Sequence, residues 1–103
     1  MEKLKNLTQF EKLMNEKTPL VITANSSEGA FYKQLDWNCE WNDEALEMCS
    51  KELNCELFDF INLDDCTIIC DENGFNKGLE VNDFASYLAH GMIVGDVIVA
   101  FPN

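Results

Sequence analysis

Between Cys55 and Gly78 the chain interleaves thiols with carboxylates, reading CELFDFINLDDCTIICDENGFNKG. Such side chains serve as metal ligands, nucleophiles and general bases, so three chemistries are weighed against this stretch. Calcium is the first. Asp71 and Asn73 would supply oxygens at positions one and three of an EF-hand loop. Position six would be Asn76 where a Gly is needed, and position twelve would be Asn82 where a Glu is needed, so a β-turn explains the run better. Zinc is the second. Cys66 and Cys70 lie on one face of an extended segment but ~13 Å apart at ~3.3 Å per residue, too far to share an ion. There is no Cys-x-x-Cys, and Cys39, Cys49, Cys55 and His90 are scattered along the chain. Nucleophilic catalysis is the third. Neither His90 nor any cysteine sits in a Gly-rich elbow or beside a recognisable orienting group. His90 precedes Gly91 and reads as a helix C-terminal residue. The expectation is a protein without cofactor, metal or catalytic residues, and not an enzyme.

The elements that would position these residues follow from pattern. Two apolar runs flank Asp64-Asp65, which makes a β-hairpin, and Asp71-Glu72-Asn73-Gly74 is expected to close it with Asn-Gly in positive-φ conformations. Period two sends Cys66, Ile68 and Cys70 to one face and Thr67 and Ile69 to the other, so this strand is expected to be central and covered on both sides. Upstream, Leu4, Leu7, Phe10, Leu13 and Met14 recur at helical spacing. Thr8 and Glu11 form a capping box, so the helix is expected from Gln9 to about Lys17, with Pro19 stopping it. Leu20–Asn25 and Ala30–Leu35 read as strands, and Asp36–Trp41 as irregular chain whose Trp37 and Trp41 are either core anchors or an exposed recognition pair. Asn42 caps a helix Asp43–Leu53 with Ala45, Leu46, Met48, Cys49 and Leu53 on its apolar arc, and Glu47 opposite Lys51 as an ion pair. Asn82 caps a short helix Asp83–Ala89, and VIVAF (97–101) inserts beside the central strands. The sum is one α+β domain over residues 1–103: a mostly antiparallel sheet of about five strands, one main helix, a short helix before the last strand and an added N-terminal helix over 1–18.

Charge is the outlier. The chain has 19 acids against 7 lysines, no arginine, and a net charge of −12. The balance is uneven: residues 34–103 hold 15 acids and only Lys51 and Lys77. Lacking the arginine fork that grips phosphate, a chain of this sign is not expected to bind nucleic acid or an anionic membrane. No apolar run reaches the ~20 residues of a membrane span. The N-terminal MEKLKNLTQFEKLMNEK has no apolar signal-peptide centre, so a cytoplasmic protein is expected, with its five cysteines reduced.

The strand LVITA with its loop and return strand, the run EALEMCSKEL leading into CELFDFINLDD, then TIICDENG, GLEVN and the closing GDVIVAF together resemble a small family of uncharacterised domains. These occur mainly in phages, plasmids and other mobile elements of Gram-positive bacteria. The resemblance covers about residues 19–103. The family's characteristic Asn matches Asn82, while the basic residue that follows it there is Asp83 here. The resemblance implies no activity and no catalytic residues. It implies a setting among accessory proteins of mobile elements, some of which disarm host defences.

The expected function is therefore an acidic inhibitor that occupies the basic groove of a host nucleic-acid-binding defence protein, such as a restriction or CRISPR-type nuclease. Carboxylates at i, i+2 on a strand (~6–7 Å) or i, i+3 and i, i+4 on a helix (~5–6 Å) approach the spacing of successive phosphates. Asp43, Glu44 and Glu47 on the main helix and Asp64, Asp65, Asp71 and Glu72 at the hairpin ends are the expected contact residues. The alternative is a structural or regulatory interaction protein, or a homodimer through the N-terminal helix, whose acidity serves solubility.

Overall fold

A computed structural model describes residues 1–102. Element order is β1 (Glu2–Leu4), α1 (Leu7–Glu16), β2 (Leu20–Ile22), β3 (Ala30–Gln34), α2 (Asp43–Leu53), β4 (Phe58–Asn62), β5 (Thr67–Asp71), α3 (Asp83–Ala89) and β6 (Val97–Ala100). The strands form one six-stranded sheet in the order β1-β3-β2-β6-β5-β4, and every pairing is antiparallel. The fold is α+β, as the residue pattern implies. The sheet has six strands rather than about five; the extra one is β1, whose Leu4 also fits the helical spacing of Leu7, Phe10 and Leu13.

Each central strand feeds two cores. Period two sends Cys66, Ile68, Cys70, Leu20, Ile22, Val97 and Val99 to one face, where Phe10 and Leu13 of α1 and Ala85 of α3 cover them. Val21, Ile69, Ile98 and Ala100 point to the other face, against Cys49 and Leu53 of α2. The division of the Cys66–Cys70 segment is the expected one. The N-terminal helix is no appendage: Phe10 is 1% exposed and meets the Phe84 ring at 5.2 Å.

Helix ends follow local chemistry. Asn6, rather than Thr8, caps α1: its side chain accepts from the Gln9 N–H, and Gln9 Oε1 accepts in return from the Lys5 N–H at 2.6 Å. The helix thus begins two residues before the expected Gln9, because an Asn with a Gln three residues on competes successfully with Thr8 and Glu11. Asn42 and Asn82 cap α2 and α3 as expected. Lys17, Asn54 and His90 end the three helices in left-handed conformation, which places His90 in a cap.

The hairpin β4–β5 pairs Phe58 with Asp71 through Asn62 with Thr67, and Asp64-Asp65 form its tip. The second turn differs from the expected one. Neither Asn73 nor Gly74 has a positive φ; Gly78 does, at 69°. Residues 72–78 instead coil through successive turns, with the Gly74 N–H donating to Asp71 O and the Lys77 N–H to Asn73 O. Glycine is needed at 74 for space, since a Cβ there would lie 2.9 Å from Val94 Cγ2.

Candidate functional site

The seven expected contact acids separate into six that reach solvent and one that does not. Asp43 and Glu44 occupy the first turn of α2, where the helix dipole favours carboxylates, and both are exposed. Glu47 is exposed one turn on. Lys51 does not pair with it: the ion pairs among the described residues are Lys33–Glu52 and Lys77–Asp71. Asp64 and Asp65 are exposed at the hairpin tip, and Glu72 is exposed at the other end.

Asp71 is the exception. Its side chain is only 4% exposed and lies 2.6 Å from Lys77 Nζ, while its other oxygen accepts from the Asn73 N–H at 2.9 Å. Burial pushes this carboxyl up, but the hydrogen bonds from Lys77 and Asn73 and the lysine charge outweigh it and hold the carboxyl below its ordinary value. The bond to Asp71 raises Lys77 in turn. Asp71 is therefore a structural acid that fixes the 72–78 coil, and it leaves the set of surface carboxylates. The sequence carries a weak signal of this: Lys77 is the lysine nearest to Asp71 along the chain.

Of the remaining acids, Asp43 and Glu47 border two openings beside α2, while Asp64 and Asp65 border a separate one at the hairpin tip. An open cleft of about 350 Å³ between α2 and β4 is bordered by Trp41, Asn42, Asp43, Leu46 and Phe60. A wider groove of about 840 Å³ follows, in which Glu47 and Lys51 of α2 face Glu56 and Leu57 just before β4. Glu72 is tied to the same point, its N–H donating to Leu57 O at 3.1 Å. The acidic face of α2 thus runs beside β4, with Asp64 and Asp65 beyond one end of that strand and Glu72 at the other.

Aromatic side chains occupy the middle of this flank. Trp37 is half-buried, its indole N–H donating to Glu40 O at 3.1 Å, and packs on the α2 core. Trp41 is 46% exposed, edge-on to Trp37 at 5.4 Å and to Phe60 at 5.3 Å. Trp37 is thus a packed residue and Trp41 a surface one. Leu46, assigned from the helical arc to the core, is instead 44% exposed beside Trp41. Phe60 joins them at 42% exposure, and the alternation Phe58-Asp59-Phe60 contains the signal, since it places both rings on one strand face.

No protein-family model, curated protein or solved structure matches the chain. The reading of this flank therefore rests on its geometry.

Four buried thiols are held in their neutral form. Burial pushes Cys49 and Cys70 up to about 11 and raises Cys55 and Cys66 as well, which makes them small apolar residues at neutral pH. Cys39 Sγ accepts from the Phe101 N–H at 3.4 Å. Among the described residues no three His, Cys, Asp or Glu side chains gather as metal ligands, and no helix is long and apolar enough to cross a membrane.

Asn82 is fully buried. Its Nδ2 donates to Ile22 O and Gly95 O, both at 3.0 Å, and its Oδ1 accepts from the Ala85 N–H. Every polar atom of this side chain is used within the fold.

Proposed function

We propose that the protein is a non-enzymatic binding module whose acidic flank occupies a cationic, nucleic-acid-binding surface of another protein and so inhibits it. One observation carries the reading: of the 19 acidic residues, only Glu52 and Asp71 are held in ion pairs among the described residues. Asp43, Glu44 and Glu47 of α2 and Asp64, Asp65 and Glu72 at the hairpin ends are exposed and make no ion pair among the described residues. Uncompensated charge of this kind destabilises the free protein, and a basic groove relieves it while steering association. The family resemblance supports placing the target among host defence nucleases, in the cytoplasm of a bacterial host.

Affinity capture from host lysate at low salt, repeated at high salt, tests the proposal. A nucleic-acid-binding protein is expected in the low-salt eluate, displaced by salt and by added DNA or RNA. Capture of no such protein overturns the reading. Charge reversal at Asp43, Glu44 and Glu47 should abolish capture while the far-ultraviolet spectrum stays unchanged. A second reading, in which acidity serves solubility in an interaction protein, draws support from Glu28, Glu80 and Asp83, which are exposed on other elements. Capture that survives the triple reversal would favour it.

A further inference from the structure

β4 is an edge of the sheet, and its bonding register decides what that edge offers. The Leu63 N–H donates to Cys66 O at 2.8 Å and the Glu72 N–H to Leu57 O at 3.1 Å. Both bonds lie in the same register as the β4–β5 ladder. In an antiparallel ladder, bonded and non-bonded pairs alternate. Leu57, Asp59, Ile61 and Leu63 are thus the residues bonded to β5. The backbone groups of Phe58, Phe60 and Asn62 point outward along an open edge.

Edges of natural sheets are normally blunted by short length, charged side chains (lysine above all), proline or a bulge, and the one such device on β4 is Asp59. β1, at the opposite edge, is three residues long and carries Lys3. β4 is five residues long and reads FDFIN, without lysine, proline, glycine or a break in its register. On the α2 side of this edge lies the cleft between Trp41, Leu46 and Phe60, bounded by Asp43. On the other side Asp59 is exposed, and Glu56, Asp64 and Asp65 flank the strand.

We infer that β4 accepts, by strand addition, an extended lysine- or arginine-rich segment of a partner protein, which seats an apolar side chain in the Trp41–Leu46–Phe60 cleft. Main-chain bonds to Phe58, Phe60 and Asn62 supply the pairing, and the alternation of the added strand supplies the selectivity. Its apolar residues fall on the α2 face, and its cations fall on the face of Asp59. Charge selects this occupant over a second copy of the chain. Edge-to-edge pairing of two β4 strands would oppose acids to acids, and like charges directly across a ladder repel. The inference rests on the reading of the protein as a binder of cationic partners, but not on the partner's being a nucleic-acid-binding protein.

The test uses the full chain and three synthetic peptides of about nine residues, enough to span a five-residue strand with overhang at ~3.3 Å per residue. One alternates lysine with leucine, the second has glutamate in place of lysine, and the third repeats the first with N-methylated backbone amides on the pairing side. With the lysine peptide, amide hydrogen exchange should slow at Phe58, Phe60 and Asn62, and the Trp41 indole resonance should shift. Asp59 and Ile61, already bonded to β5, should change little. The N-methyl peptide should bind at least ~10-fold more weakly, as loss of hot-spot-scale contacts implies. The glutamate peptide should not bind, and Phe60→Ala should weaken the lysine peptide by a similar factor.

Equal binding of the N-methyl peptide, protection outside β4, or no binding of the lysine peptide overturns the inference. The N-methyl comparison uses the unaltered protein, so it holds even if Phe60→Ala perturbs folding. Protection at β4 without capture of any nucleic-acid-binding protein would reject the inhibitor reading and leave the edge site standing. Capture with no peptide protection would do the reverse.

Discussion

A single carboxylate shows how a residue in an acidic protein is assigned its role. Asp71 closes a strand and precedes a polar turn, the position at which a solvent-facing acid is expected. Lys77, six residues on, folds back to it through the 72–78 coil and takes it out of solvent. Replacing Asp71 with Asn removes a charge-assisted bond from a buried site, and about 1–3 kcal/mol of stability should be lost at neutral pH. The pH dependence has a fixed sign. The folded carboxyl lies below its ordinary value of 3.8, so its contribution is complete above that pH and lost as pH falls below it. Lys77 is raised above 10.5, so its contribution is present below that pH and lost as pH rises through the folded value. Urea denaturation of wild type and Asp71→Asn should therefore give a constant stability gap across the neutral range that closes under strong acid. A gap unchanged at pH 2 would show that packing, not charge, is what the substitution removed. Because Asp71 is absent from the surface, the same variant should capture a cationic partner as well as wild type, whereas Asp64→Lys with Asp65→Lys should weaken capture.

At the scale of elements, Asn82 is the residue on which three segments meet: it caps α3 and bonds to carbonyls of β2 and of the turn before β6. Truncation to Ala loses the cap, ~1 kcal/mol, and removes two buried amide-to-carbonyl bonds at ~1 kcal/mol each. Asn82→Ala should thus cost about 3 kcal/mol. Asn82→Asp keeps the cap acceptor but turns a carboxylate toward two carbonyls with no proton to give them, and should cost at least as much. Thermal melts of the pair decide the matter: an Asp variant more stable than the Ala variant would mean that the cap alone matters. The same contrast explains what was legible in the sequence. Asn82 was readable as a cap because capping is local, and α2 was readable to both ends because Asn42, the first-turn acids and the apolar arc all agree. Its bonds to residues 60 and 13 positions away were not readable. The strand order β1-β3-β2-β6-β5-β4 escaped for the same reason, since pairing joins segments that pattern alone does not connect. β1 was hidden because three residues are too few to show period two, and its Leu4 also fits a helical stripe. In the candidate site the acids were visible by type, yet the exposure of Leu46, Trp41 and Phe60 was not. Each has the composition of a core residue, and only the position of β4 at the sheet edge leaves that corner uncovered.

For the whole molecule the governing quantity is the net charge of −12, set against only two ion pairs among the described residues. Self-repulsion between exposed carboxylates acts against the compact state, and attraction to a cationic partner acts through the same groups. Salt weakens both, since the screening length falls from ~10 Å at 0.1 M to ~3 Å at 1 M. The two consequences have opposite signs. Relief of repulsion should raise the thermal midpoint, and a gain of ~1 kcal/mol corresponds to about 4–8 °C for a domain near this size. Capture of the partner should fall over the same range, because it loses its long-range attraction. A protein whose acidity served only solubility would show the first effect without the second. A protein stabilised mainly by its surface ion pairs would lack the first effect, since its midpoint would drop as an exposed pair such as Lys33–Glu52 is screened. Melting and capture measured side by side in a sodium chloride series thus separate the three cases. Charge-reversed α2, with Asp43, Glu44 and Glu47 changed to Lys, supplies the internal control. Its midpoint should respond less to added salt, because fewer like charges remain to be screened.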